Sequence, residues 1–325
     1  MRTASEKLAI IRLVEESELS VRRTLRELRV SRSSFYRWYA AYAQDGLDGL
    51  ENQGGTSRRH WNRIPDSVRA RIVDIALESP DLTPRELAWH ITDTHDYFVS
   101  ESSVYRILKG HDLITSPQFM VMSAADRFQH PTCRVHELWQ TDFTYFRVVG
   151  WGWYFLSTVL DDYSRYIITW RLTTTMAAAD VTGTLEDALK ITGLSEARVR
   201  HKPRLLSDNG PCYISGELKS WLKDRDMEHT RGAPYHPQTQ GKIERYHRSM
   251  KNVIKLEHYY FPWELEKAIA EWVNHYNHER YHESLDNVTP ADVYEGRRND
   301  ILDQRAIIKS RTLNQRKLHN LRLAG

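Results

Sequence analysis

The spacing of apolar residues changes near residue 135, and this change constrains the fold more than any other feature of the chain. Before it, apolar residues recur at helical intervals. Val21, Leu25 and Leu28 form one such set and Val68, Ile72, Ile75 and Ala76 another, each on a single helix face. After it, runs rich in aromatic and β-branched residues alternate with turn signals, as strands do. Two patterns in separate blocks require separate domains, and 325 residues suffice for two or three. A hydrophobic content of 40% lets each block pack a core. No apolar run approaches the roughly 20 residues of a membrane span, and the N-terminus has no apolar core of a signal peptide. Cys133 and Cys212 form no C-x-x-C pair, which argues against a cysteine zinc site or a disulfide scaffold. A cytoplasmic protein is the expectation.

Residues 1–50 predict a helix-turn-helix module. A helix from Ser5 to about Glu16 precedes one capped by Ser20, and Ser31 caps a third. The third helix of this plan enters the major groove, so Arg32, Ser33 and Tyr36 are candidate base contacts and Arg37 a candidate phosphate contact. Residues 65–115 repeat the plan. Thr83-Pro84-Arg85-Glu86 is a capping box with proline at the first helical position. A third helix begins at Ser100, and Val99-Ser100-Glu101-Ser102-Ser103-Val104-Tyr105-Arg106 echoes Val30-Ser31-Arg32-Ser33-Ser34-Phe35-Tyr36-Arg37. The echo adds Ser102 and Arg106 to the candidates. Between the modules, residues 51–64 read as a basic linker whose Arg58 and Arg59 suit phosphates or a minor groove. Helical trios also serve as plain packing units; two in tandem around a basic linker favour DNA binding. Trp38 and Trp89 read as core residues. A connector covers 116–134. At the other end, residues 296–325 form a basic tail. From Arg297 onward it holds eight basic residues against two acidic ones, which suits a polyanion or a solvated helix.

Residues 135–295 predict an α/β core with a mixed five-stranded sheet. Strands are expected over Leu138–Val149, Trp153–Leu160 and Tyr166–Leu172, with a hairpin turn at Gly150-Trp151-Gly152. A helix from Ala177 to about Thr192 precedes a buried strand at Arg204–Ser207. A helix capped by Ser215, a strand at Met227–Thr230 and a long helix from near Thr239 complete the order β-β-β-α-β-α-β-α. Asp142 falls inside the first strand between aromatic residues, where an uncompensated charge is costly, so it needs a cation or a wet edge. Asp208 follows an apolar run at a turn, and Glu244 lies on the first turns of the long helix. Taken singly, each has a structural explanation. Together they suit a bound divalent cation. Asp161 and Asp162 are explained by a hairpin turn.

The motifs Trp139-x-Thr141-Asp142, Asp162-x-Ser164-Arg165, Ser207-Asp208-Asn209-Gly210 and His236-Pro237-Gln238-x-x-Gly241-x-x-Glu244 resemble those of bacterial insertion-sequence transposases. These carry a retroviral-integrase-type DDE core with an RNase H-like fold. The 35 residues between Asp208 and Glu244 match that family's second interval, and Lys251 stands where it has a basic residue. The ending Tyr276-Asn277-x-x-Arg280-x-His282-x-Ser284-Leu285, then Thr289-Pro290, matches as well. No set of cysteines matches the zinc domain of retroviral integrases, and the helix-turn-helix modules point to the bacterial branch.

The resemblance implies that Asp142, Asp208 and Glu244 are catalytic and hold two Mg²⁺ ions, for which Mn²⁺ substitutes. Asp142 would bridge both, with Asp208 on one ion and Glu244 on the other. Such ions sit about 3.5–4 Å apart and stabilise attacking and leaving oxygens. It further implies hydrolysis at element ends to expose a 3′-OH, strand transfer into target DNA, and a homo-oligomer of at least two chains acting at the bacterial nucleoid. Glu244, Arg248 and Lys251 share a helix face, so Arg248 and Lys251 are candidate DNA contacts beside the metal, with Lys242 added less directly. His236, Gln238 and Gly241 would shape a loop near the substrate. The alternatives are a DNA-binding regulator with an idle core, and an RNase H-like nuclease without strand transfer.

Overall fold

The computed structural model describes residues 2–17, 19–50, 61–111, 113–114, 132–195, 202–231 and 241–323. Arg58, Arg59, His236 and Gln238 lie outside the described residues, as does most of the connector. The chain divides into two compact units, residues 1–121 with 303–325, and residues 122–302.

In the first unit, α1 (Ala4–Glu16), α2 (Val21–Glu27) and α3 (Arg32–Gly49) form the first trio. Thr3 and Glu6 build a capping box ahead of α1, slightly earlier than the expected start at Ser5. Ser20 holds the N-cap position of α2, yet its side chain makes no cap bond. Ile11, Val14, Leu25, Val30, Phe35 and Leu50 meet in the core, with Trp38 packed against it. Gly46, at φ 63°, bends α3 near its end. The second trio is α4 (Asp66–Glu78), α5 (Pro84–His95) and α6 (Glu101–Gly110) around Ile72, Leu87, Ile91, Val104 and Ile107. Its capping box forms as the sequence predicts, with Glu86 N donating to Thr83 Oγ1 at 3.3 Å and Thr83 N donating to Glu86 Oε2 at 3.0 Å.

The second unit begins with β1 (Leu138–Val148), β2 (Gly152–Asp161) and β3 (Ile167–Thr173), followed by α7 (Ala178–Ile191). Then come β4 (Arg204–Ser207), α8 (Gly216–Asp224), β5 (His229–Arg231), α9 (Gly241–Ile254), α10 (Pro262–His278) and α11 (Pro290–Tyr294). The sheet order is β3-β2-β1-β4-β5. β1 pairs antiparallel with β2, and β2 with β3, whereas β4 runs parallel to β1 and β5 parallel to β4. This is the mixed five-stranded sheet that the sequence predicts. Strand alternation sends Phe146, Val148, Leu156 and Leu160 to one face, under Ile243, Tyr246 and Met250 of α9 and Leu265, Ile269 and Trp272 of α10. Trp139, Val159 and Ile168 face the other way, under Val181 and Leu185 of α7 and Leu218 and Leu222 of α8. Each such fully buried side chain contributes about 1.5–3 kcal/mol. At the start of β3 a side chain completes the hydrogen bonding: Asn277 Nδ2 donates to Ile167 O at 3.0 Å and its Oδ1 accepts from Ile167 N at 2.9 Å.

The stretch expected as a basic tail is a helix, α12 (Arg298–Arg322), and from Asp303 onward it belongs to the first unit. Its cations have partners there. Arg305 grips Asp93 through two bonds of 2.8 and 2.7 Å and lies over the Trp89 ring. Lys309 covers Phe98, and Arg316 covers Tyr97 while donating to its hydroxyl and to Phe98 O. Phe98 N donates to buried Thr312, and Arg311 pairs with Asp96. Trp89 is therefore half-buried under a guanidinium rather than in the core. These cations serve the fold of the second trio, so the polyanion reading of the tail does not extend to them. Within the second unit, Arg297 pairs with Asp292 and Glu295, and Arg298 pairs with Asp286. No helix among the described residues is long and apolar enough to cross a membrane.

Candidate active site

β1 carries Asp142 on the face that α9 covers. Two residues earlier on that face stands Gln140, fully buried. A buried amide needs hydrogen-bond partners, and both polar atoms of Gln140 are bonded: Nε2 donates to Asp162 Oδ1 at 2.6 Å, and Oε1 accepts from Ile243 N at 3.2 Å. Asp162 in turn accepts from Lys242 Nζ at 2.6 Å and from Thr132 Oγ1 at 2.6 Å. The first turn of α9 is thereby tied to β1 and to the end of β2. Lys242, a candidate DNA contact from sequence, instead directs its ammonium inward at Asp162, because a carboxylate only 3% exposed needs a counter-charge. Burial lowers the Lys242 pKa and Asp162 opposes that shift. Asp162 thus does more than turn a hairpin. Asp161 does hold the turn, accepting from Ser164 N at 2.9 Å, Ser164 Oγ at 2.7 Å and His136 N at 2.8 Å.

One helical turn beyond Glu244, His247 reaches Asp142, with Nδ1 3.3 Å from Oδ2. Residues three apart lie on one helix face, so Glu244 stands on the face of α9 turned to Asp142. Glu244 itself is exposed. Asp142 Oδ1 accepts from Phe143 N at 2.8 Å. Asp208, at the end of β4, accepts from Gly210 N through Oδ1 at 2.8 Å. Burial raises the Asp208 pKa first, the Gly210 bond lowers it, and the charge of Asp142 raises it again. The charge of Asp142 thus reaches Asp208. Among the described residues no three His, Cys, Asp or Glu side chains gather as a finished metal cage. The donor set nonetheless fits a hard divalent cation: both side chains offer carboxylate oxygens, and Mg²⁺ takes few protein oxygens and keeps its waters.

Lys251, two turns along α9 from Glu244, feels the charge of Asp142, which raises its pKa against the larger lowering by burial and by Lys255. Arg248 is exposed on the same stretch. Cys212 lies in the same field: burial, Asp208 and Asp142 push its thiol up, so it stays protonated and makes a poor nucleophile. Sequence reasoning missed Gln140 and His247, and gave Asp162 only a hairpin turn. A glutamine inside an apolar strand was the available signal for Gln140, and the three-residue step from Glu244 for His247.

In the first unit, Arg32, Ser33, Tyr36 and Arg37 are all exposed on α3. The Ser31 hydroxyl accepts from Ser34 N at 3.2 Å, the expected cap. In α6 the echo differs. Ser100 makes no cap bond to backbone and pairs with the Ser103 hydroxyl at 2.9 Å. Ser102 is exposed, and Arg106 folds back onto its own helix, Nε donating to Ser102 O at 3.0 Å.

Comparison with known proteins accounts for both units. Residues 133–237 and 225–290 match integrase core domain families, and residues 1–51 and 34–108 match homeodomain-like domain families. A transposase for insertion sequence element IS629 of Shigella sonnei is 29% identical over 190 residues, 57% of this chain and 62% of that protein. A Gag-Pro-Pol polyprotein of mouse mammary tumor virus is 31% identical over 144 residues, 43% of this chain and 8% of the polyprotein. The chain thus spans less than two thirds of these relatives. Among solved structures, the HTLV-2 integrase catalytic core domain in complex with magnesium aligns at TM-score 0.39 and 19% identity, over 50% of this chain and 97% of that one. A simian T-cell lymphotropic virus intasome chain aligns at TM-score 0.43 and 18% identity, over 69% and 74%. The chain is thus similar to transposases and integrases: its residues 133–290 match integrase core domains, and residues that match homeodomain-like domains precede them.

Proposed function

We propose that the protein is a DNA transposase of an insertion sequence, with Asp142, Asp208 and Glu244 as its catalytic carboxylates. The observation that carries this reading is the contact of His247 with Asp142, 3.3 Å, one helical turn from Glu244 on α9, with Asp208 close enough to feel the charge of Asp142. Likeness to the IS629 transposase supports it. The three carboxylates would hold two Mg²⁺ ions, and Mn²⁺ would substitute. When bound, the metal polarises the phosphoryl oxygens and lowers the pKa of water. The chain's own residues do the rest. Gln140, Asp162 and Lys242 anchor the helix that presents Glu244. His247 orients Asp142, and Arg248 with Lys251 holds the DNA backbone. Water attacks a phosphodiester at the element end, the 3′ oxygen leaves as a hydroxyl, and that hydroxyl then attacks a phosphodiester of target DNA. In this second step one P–O bond forms as another breaks, so no covalent protein nucleophile is required.

In the first unit, α3 would read the element ends through Arg32, Ser33, Tyr36 and Arg37. α6 would add Ser102 and Arg106, and the linker Arg58 and Arg59. Two ends must be held together, which requires at least a dimer. The site of action is the bacterial cytoplasm, at the nucleoid. The proposed domains are 1–50 and 65–115 for DNA recognition and 135–295 for catalysis.

The test incubates purified protein with Mg²⁺ and a plasmid carrying the gene's flanking DNA, and maps nicks and joined strands. Nicks at two inverted ends with joined products, lost in Glu244→Gln and Asp208→Asn while end binding persists, are expected. Binding at the ends without nicks under any divalent metal supports the regulator with an idle core. Nicks without joining support the nuclease.

A further inference from the structure

On the sheet beyond the carboxylates, β1 and β2 expose two aromatic rings that the catalytic reading leaves unused. Tyr145 is 49% and Trp153 54% exposed, whereas Trp139 and Phe146 of the same strand pair are buried. The two exposed rings meet edge to face, 5.4 Å between centroids. We propose that Tyr145 and Trp153 form a stacking platform for an unpaired stretch of DNA strand that passes round the open edge of β1 from the catalytic carboxylates. The proposal rests on the reading that this site acts on DNA.

Cations interleave with the rings. Lys251 Nζ lies 4.5 Å from the Tyr145 ring centroid. Arg147 stands directly opposite Trp153 in the β1–β2 register, so the two share a face, and Arg147 is exposed. Lys255, also exposed, is close enough to Lys251 to act on its charge. Lys251 joins this patch to the active site, because the same ammonium responds to Asp142. Tyr145 follows Asp142 by three positions on β1, about 10 Å along an extended strand and on the opposite face of the sheet. Beyond Gln140 this edge of β1 has no strand beside it among the described residues, and Lys251 reaches from the α9 side to the Tyr145 ring.

This chemistry selects one kind of occupant. Protein interfaces are depleted of charge at their centres, whereas here cations stand among the rings. Rings interleaved with cations track a polyanion with flat bases. In a duplex the base faces are covered by their stacked neighbours, so Tyr145 and Trp153 gain contact only with bases freed from the stack. A strand parted beside the phosphodiester to be cut supplies such bases. Stacking tolerates any sequence, so the platform would hold the parted strand while α3 reads the duplex.

The experiment uses the full chain and measures fluorescence anisotropy with three labelled DNAs: a duplex, the same duplex with a short unpaired 3′ tail, and one whose tail is abasic. Wild type is expected to prefer the base-bearing tail by about tenfold over the other two. The double variant Tyr145→Ala, Trp153→Ala is expected to lose that preference and keep its duplex affinity. The pair Tyr145→Phe, Trp153→Phe is expected to keep both, since a phenyl ring still stacks. An unchanged tail preference in the alanine variant overturns the platform. So does a wild-type protein that nicks DNA with Mg²⁺ yet ignores the tail. A wild-type protein that binds no DNA overturns the functional reading and the platform together.

Discussion

Helices α9 and α12 look alike in the sequence, and the structure uses their cations in opposite ways. In α12, Arg305, Lys309, Arg311 and Arg316 all close onto Asp93, Asp96 and the rings of Trp89, Tyr97 and Phe98. They stabilise the second helical trio. In α9 one cation, Lys242, turns inward to Asp162, Lys251 stays beside Asp142, and Arg248 faces solvent. A row of basic residues thus says little about its partner. Acids and aromatics elsewhere in the chain decide whether a cation is available.

Removal of residues 303–325 should affect the protein most, because it strips buried Ile308 and Thr312 together with Arg305 and Arg316 from the second trio. A loss of about 5 kcal/mol or more is expected in that module, read as faster amide exchange across α5 and α6. Unchanged exchange would make α12 a solvated helix after all. Lys242→Ala should follow, at about 3 kcal/mol, because it leaves a buried carboxylate without its ammonium. Lys242→Ala, Asp162→Ala together should recover part of that loss in urea titrations. Additive losses would mean that the pair is not coupled.

Arg305→Ala ranks next, at about 2 kcal/mol, since Asp93 is partly exposed and water can replace the guanidinium. Its DNA affinity at temperatures where the module stays folded should equal that of wild type; a drop would restore the polyanion reading. Lys251→Ala should invert the pattern, with stability within about 0.5–1 kcal/mol of wild type and DNA cleavage about tenfold slower or worse. Arg248→Ala should be the mildest, changing stability by less than about 0.5 kcal/mol and reducing the salt slope of DNA binding by about 1. An unchanged slope would remove Arg248 from the interface.

The two folds were legible because their evidence is local. Helical spacing, the Thr83 capping box and the β1–β2 hairpin signal each lie within a few residues. Asp142 was legible for another reason, since a carboxylate among strand aromatics violates the local pattern. What escaped the sequence depends on partners distant along the chain. Gln140 meets Ile243, Lys242 meets Asp162, and Arg305 meets Asp93 only after the sheet has assembled or the chain has returned on itself. His247 was hidden by its neighbours: among Arg245, Tyr246 and Arg248 it read as one more polar position on an exposed helix. Ser20 and Ser100 show the converse limit, because a residue of the right type at an N-cap position need not make the cap bond.

The bond between Asp93 and Arg305 spans 212 residues, and that distance has a meaning during synthesis. At roughly 5–20 residues per second, Arg305 leaves the ribosome about 10–40 s after Asp93. Until then the second helix-turn-helix lacks the helix that neutralises Asp93 and covers Trp89. The module that would hold DNA therefore matures last, although it is made early, and the integrase core is already translated when it does. A nascent chain stalled before α12 would emerge with its α/β core complete and its second helical trio unfinished.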